Sequence, residues 1–599
     1  MTQRRQGSCL SFWALLAACA VAPLAAHAQR NAPELSAPIA VYIDGPDSSA
    51  LPARSPLSEA LALRDINQLA RLKESGLRVD YDLLDAYAVA LDGLHPFGRS
   101  ATWPDGADSW IARCHATGIR PGLRFSNIAL RPDARAPVVF EAEILHDFIP
   151  ALQSWYDRGI RLFAFEDLDL TTATPETPAG LTQNNIVAHN REVLRVALTA
   201  FRARNRGAVL FVIQSPAADP DAFANLPSGG KSSVSNPNSR NEPSRLGAFQ
   251  LLSTGTPRAS TTPQSSLQRA IDIETDSQIR HDEQFGISLA HIFSCGFIAA
   301  PAGAAGLDTA SLPRGWKGAF LLSMARGGWV NALSGSFDSI PTSDVHWMAR
   351  VQKLFFLMQA HGQLHSFGGP PPKGSNMAGL PYGFAGTTPR GSVYVVVNPS
   401  QAVATLPLPA LGRDQAPGPG RVLFRDAGFS PQLTGNVITL GPGQVAAAGF
   451  GAYAAPEFSF GVQQDVVIPI SIEPVDADFH LTAPGVIEAR FDPPIQGVLR
   501  IVVIEREPKG GTQPGTADSA TAGSKNRITL EITQAGRPIP LRPGGIESEV
   551  NSALNAQPSW AVAEIDINDL TPGIPLHVRL HSNENPQATL EGSAYQVIY

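Results

Sequence analysis

The sequence predicts a (β/α)8 TIM barrel followed by two antiparallel β-sandwich-type domains. Short apolar runs alternate with helix-period stretches from residue 39 to about residue 375, the rhythm of parallel strands joined by helical crossovers. Helical periodicity then stops near Tyr382, and the rest of the chain reads as short strands between Gly/Pro turns. Finally, Gly159-Ile-Arg-Leu-Phe-Ala-Phe-Glu-Asp-Leu-Asp-Leu170 sets Glu166, Asp167 and Asp169 at the C-terminal end of an apolar strand, where a barrel of this type keeps its chemistry. Acids at such a position also solvate loops or cap the next helix, so position alone leaves both readings open.

With 599 residues the chain exceeds what one hydrophobic core serves. High Gly and Pro (53 and 51) fit many turns and much β-structure. The N-terminus has the form of an export signal: Arg4 and Arg5, an apolar run over Cys9–Ala22, then Ala26-His27-Ala28 as a small-x-small cleavage pattern. Cleavage after Ala28 is the expectation, giving a periplasmic or secreted protein. Leu16-Ala17-Ala18-Cys19 offers a lipoprotein box as the alternative. Removing residues 1–28, which carry two arginines and no acid, takes the formal net charge from −7 to −9. No dense Lys/Arg run interleaved with aromatics is present, which argues against a nucleic-acid partner. No further apolar run is long enough for a membrane span.

The elements follow in order. Ile39–Asp44 is the first strand, Ser55-Pro56 a helix start, and Leu57, Leu61, Leu69 and Leu72 the buried face of a helix stopped by Gly76. Val79–Tyr87 is the second strand, with Asp85 near its end. Trp103-Pro104-Asp105-Gly106 leads into a helix through Trp110, and Gly122–Asn127 is the third strand. Phe140–Gly159 is helical, with Pro150 kinking or splitting it. After the opening strand come a helix over Thr182–Asn205 and the continuous apolar strand Ala208–Gln214. Pro216–Gly247, rich in Ser, Asn, Pro and Gly, reads as an insertion at the rim or as disorder. Phe249–Ser253 and His291–Ala300 are the sixth and seventh strands, Trp329–Leu333 is strand-like, and a helix over Val345–Leu364 closes the series. The expected domains are a signal peptide at 1–28, the barrel at 37–377, an antiparallel β-domain packed on it at 378–455, and a separate β-sandwich at 456–599. Glu507–Asn526 is expected to be a long hairpin loop.

Several chemistries lack their signatures. No Gly-x-Ser-x-Gly elbow exists. Gly230-Lys231-Ser232 has no leading glycine or strand, so it is not a P-loop. His361 and His365, four apart on the expected helix, have no adjacent Glu and read as surface histidines; His281-Asp282-Glu283 lacks a second ligand cluster. Cys114 and Cys295, the cysteines left after the signal, make no metal framework. We therefore expect no metal and no cofactor. Paired carboxylates remain, and glycoside cleavage requires two: one attacks or stabilises the anomeric carbon, the other protonates the leaving oxygen. The candidates are Asp85, Glu166, Asp167, Asp169, Asp272, Glu274, Asp276 and Asp338. Trp103 could stack on a sugar ring or be structural.

From about Leu72 to Ser400 the chain resembles the alpha-galactosidase (melibiase-like) clan of glycoside hydrolases. The resemblance rests on Trp103-Pro104-Asp105-Gly106, Gly118-Ile-Arg-Pro-Gly-Leu-Arg124, Gly159–Glu166, Ser253-Thr-Gly-Thr-Pro-Arg258, Glu274-Thr-Asp276, Tyr382-Gly-Phe and Val395-Val-Val-Asn-Pro-Ser400, in that order. It implies retaining hydrolysis of α-linked sugars, with Glu166 at the nucleophile position and Asp276 at the acid/base. Arg258 would stand beside the nucleophile, and Asp85 would bind a sugar hydroxyl. Arg280, four residues beyond Asp276, joins the substrate-binding set. The family usually has Lys-x-Asp on the nucleophile strand; here it is Ala164-Phe165-Glu166, with no lysine and an acid one methylene longer. Asp167 is the substitute acid if the strand end is irregular, since a regular strand points it to the other face. Two functions follow: an exported retaining glycoside hydrolase with a carbohydrate substrate, or a barrel that has lost its chemistry and binds glycans or acts as a scaffold.

Overall fold

The structure is a computed structural model. It describes most of residues 38–599; residues 1–34, 44–57, 87–101, 126–147, 167–179, 215–248, 254–266, 300–313, 370–378, 411–418, 507–527, 551–558 and some shorter stretches lie outside the described residues. The signal segment, Asp167, Asp169, Arg258, Cys295, the Gly230-Lys231-Ser232 stretch and the Glu507–Asn526 loop all fall there.

Nine parallel strands make the first sheet: β1 (Ile39–Ile43), β2 (Tyr81–Asp85), β3 (Arg120–Phe125), β4 (Leu162–Glu166), β5 (Val209–Gln214), β6 (Phe249–Ser253), β7 (Ile292–Phe293), β8 (Phe297–Ile298) and β9 (Val330–Ser334). β1 pairs with both β2 and β9, so the sheet curls into a ring. β7 continues it from β6, and β8 joins β9. The expected seventh strand is thus two short pieces, and the ring is interrupted between Phe293 and Phe297. Gly296 explains the break. It adopts φ +68°, and a Cβ there would run into the Ala332 carbonyl oxygen; the chain crosses its neighbour too closely to continue the ladder.

The helices are α1 (Glu59–Glu74), α2 (Ala107–Thr117), α3 (Ile149–Arg158), α4 (Gln183–Arg204), α5 (Leu267–Gln284), α6 (Trp316–Ala325) and α7 (Thr342–His361). Their starts follow local chemistry. Ser58 caps α1 by accepting from the Leu61 N–H, a role the sequence had suggested for Ser55. Pro150 stands in the first turn of α3, where its missing N–H costs nothing, so it opens the described helix and does not kink it.

Strand alternation divides the buried side chains. Val41, Leu83, Leu162, Ala164, Phe211, Leu251 and Ala332 belong to a cluster filling the barrel, whereas Tyr42, Leu84, Leu123, Phe163 and Leu333 face the helices. Period-two alternation of this kind is what a strand with both faces covered requires.

After α7 the chain turns to antiparallel sheets. The helix expected to reach Leu364 stops at His361, and Gln363–Gly368 is a strand paired with Tyr382–Thr388, so His361 ends a helix and His365 lies in a strand. A six-stranded sheet containing these strands and Gly461–Ile468 packs on a three-stranded one. Its other face shares the barrel's outer core through Phe384, Val395 and Phe424. Two five-stranded sheets follow with their own core, which includes Ile501, Ile565 and Val578. The far face of one of them, with Val498, Val502 and Tyr595, packs on Ile271 of α5 and Ile298 of β8. Among the described residues no helix is long and apolar enough to cross a membrane.

Candidate functional site

The inward residues of β2, β3 and β4 run Tyr81, Leu83, Asp85; then Gly122, Arg124; then Leu162, Ala164, Glu166. The lower members are barrel core, so alternation turns Asp85, Arg124 and Glu166 into the lumen at its C-terminal mouth, the end where barrel enzymes act. Asp85 stands opposite Arg124 in the ladder, and Arg124 opposite Ala164. The Arg124 guanidinium lies between the two acids, Nη2 at 3.9 Å from Asp85 Oδ2 and Nη1 at 3.7 Å from Glu166 Oε2. Both separations exceed direct hydrogen-bond range, so across these pairs the cation acts through its charge. Asp85 and Arg124 are 8 % and 7 % exposed, which limits solvent screening of that charge. Ser253 and Ser334 end β6 and β9 on the same face, two residues past Leu251 and Ala332.

The structure removes three expected residues from this mouth. Asp276 lies in the middle of α5 and is fully buried. Its Oδ1 accepts from Arg326 Nε at 2.7 Å and its Oδ2 from the Tyr382 hydroxyl at 2.7 Å. Both oxygens are therefore engaged in the seam between the helical layer and the first β-domain, away from any substrate. Arg280, one turn further along α5, is 1 % exposed with its guanidinium 4.3 Å over the Tyr382 ring. The physical reason is helical: from Leu267 to Gln284 the backbone is one helix, and its polar stripe faces the seam. Trp103 is 1 % exposed and part of the core with Trp110, so it cannot stack on a sugar. Asp272 joins the same seam through Arg326 at 3.0 Å. Burial opposes the Arg326 charge, but Asp276 and Asp272 outweigh it and raise its pKa. Asp338 is exposed in the helical layer outside the barrel, where its backbone carbonyl accepts from Arg71 of α1 and its charge acts on Arg64 of the same helix.

Arg124 is the functional candidate that sequence reasoning missed. Its signal was present: it stands two residues after Gly122 at the end of a strand, on the face that alternation turns inward. Among the described residues no group of three or more His, Cys, Asp or Glu could hold a metal ion.

No known family model matches this chain. No curated protein matches it either. Solved structures similar to it include the following. The GH36 α-galactosidase AgaA of Geobacillus stearothermophilus is 11 % identical over 69 % of this chain and 55 % of its own, with a TM-score of 0.40; this chain thus spans about half the length of that enzyme. The isomalto-dextranase of Arthrobacter globiformis T6, complexed with panose, is 12 % identical over 95 % of this chain and 97 % of its own, with a TM-score of 0.41. The trehalose-6-phosphate hydrolase of Bacillus licheniformis is 9 % identical over 70 % and 100 %, with a TM-score of 0.39. It is the strand order of this chain that makes it a barrel.

Proposed function

We propose that the chain is an exported glycoside hydrolase acting on α-linked sugars with retention, Glu166 being the attacking carboxylate and Asp85 an acceptor for a sugar hydroxyl. The observation that carries this reading is the inward-facing Asp85–Arg124–Glu166 group at the barrel mouth. A carboxylate nucleophile must be anionic, and a guanidinium beside it stabilises that charge. The 1–28 segment supports export to the periplasm or beyond.

A second reading, glycan binding without turnover, is favoured by the capture of Asp276 in the seam, which takes the expected proton donor away from the mouth. Screening the purified protein against nitrophenyl α- and β-glycosides separates the two. Under the first reading one α-glycoside is cleaved with retention, and Glu166→Gln lowers turnover by at least about 1,000-fold, as loss of an essential group does. Glycan binding with no hydrolysis selects the second reading, and neither binding nor hydrolysis rejects both.

A further inference from the structure

We infer that Arg124 is the positioning residue of the mouth: its guanidinium sets Asp85 and Glu166 on either side of one positive charge, and Ala164 on the next strand makes room for it. The inference rests on the glycosidase reading and deepens it. Asp85 and Glu166 enter the same small lumen from β2 and β4, the two strands that flank β3. Without the cation between them, the repulsion of two partly buried negative charges across the lumen would rise. Arg124 is within 4 Å of each.

The space for this arrangement is made by small residues. Gly122 occupies the inward position below Arg124, and a Cβ there would already lie 3.1 Å from both Leu162 Cβ and Leu83 Cδ1. Ala164, opposite Arg124 in the ladder and fully buried, is the smallest inward side chain of β4. Adjacent strands lie about 4.8 Å apart, so a lysine at 164 would bring its ammonium into the volume that the guanidinium now fills. A positive charge delivered from β4 is therefore expected to stand in for the one delivered from β3.

The experiment uses the full chain and 4-nitrophenyl α-D-galactopyranoside, or whichever nitrophenyl α-glycoside the native protein cleaves. Arg124→Met keeps most of the side chain's bulk and removes the charge; kcat is expected to fall by about 100-fold, the scale of a misplaced reacting group, with KM changing far less. Arg124→Lys should recover part of that loss. The decisive variant combines Arg124→Ala with Ala164→Lys: it is expected to turn over well above Arg124→Ala alone. Thermal melts of each variant identify those that fold, and if Arg124→Ala does not, the Met and Lys variants carry the comparison. An Arg124→Met protein as active as the native one overturns the inference while leaving the glycosidase reading in place. A folded double variant no better than Arg124→Ala overturns the claim that the charge can move between strands. A native protein that cleaves no glycoside overturns the hydrolase reading and the inference together.

Discussion

Asp82 shows how much one residue depends on the face it occupies. Its neighbours Tyr81 and Leu83 point into the barrel, so Asp82 points out, under the helices, where its Oδ2 accepts from Trp110 Nε1 at 2.7 Å. Burial pushes its carboxyl up to about 7; Asp65 adds to the rise, and the Trp110 hydrogen bond opposes it. The folded protein therefore keeps a proton that the unfolded chain releases near pH 4. Stability falls as pH rises through the window from about 4 to 7 and is level above it. Asp82→Asn keeps an acceptor for Trp110 and removes the ionisation. It should stabilise the protein by a few kcal/mol at pH 8, at about 1.4 kcal/mol per pH unit of window, and by little at pH 4. Denaturant melts at the two pH values check this; an equal effect at both would show that Asp82 does not titrate in that window.

At the scale of elements, α5 is the one whose reading changed most. Its acids lie one helical turn apart, and Asp272 and Asp276 meet the same Arg326. Asp276→Asn leaves Arg326 its pair with Asp272 and weakens only the charge-assisted bond at its Nε, so it should cost about 1.5–3 kcal/mol, the scale of a hydrogen bond to a charged group. It should not change how any turnover depends on the leaving group, as loss of a general acid would. Chemical denaturation and a comparison of activated with unactivated glycosides measure the two effects; selective loss on unactivated substrates would return Asp276 to the mouth. Much of the rest was legible. β5, β6 and α4 lie within a residue of their expected limits, because long apolar runs and clear periodicity decide them locally. The broken seventh strand was hidden, since it depends on where Gly296 meets Ala332 across the sheet. Alternation alone turned Arg124 inward, but its place beside Ala164 was hidden for a similar reason. The resemblance places a lysine at 164, whereas the charge beside Ala164 comes from Arg124 on the neighbouring strand. Sequence order does not display cross-strand neighbours.

At the scale of the whole molecule, the units lean on each other. Gly461–Ile468 pairs with Arg421–Gly428 inside the first β-domain's large sheet, and Gln463 donates to the buried Asp426, which also pairs with Arg269 of α5 at 3.1 Å. A chain ending at Ala455 loses that strand and should be insoluble. One ending at Pro469 keeps it but uncovers Ile271 and Ile298, so it should fold with a lowered Tm. Expression and thermal melts of the two truncations test the difference; a well-folded chain ending at Ala455 would show the strand to be dispensable. The ring of the barrel has a further consequence in time. β1 and β9 zip together over five residue pairs, yet they come from opposite ends of the barrel's sequence. That ladder cannot form until the last barrel strand has been synthesised. Contacts so distant along the chain form slowly, leaving a long interval in which the unclosed chain carries two unpaired strand edges open to any neighbour.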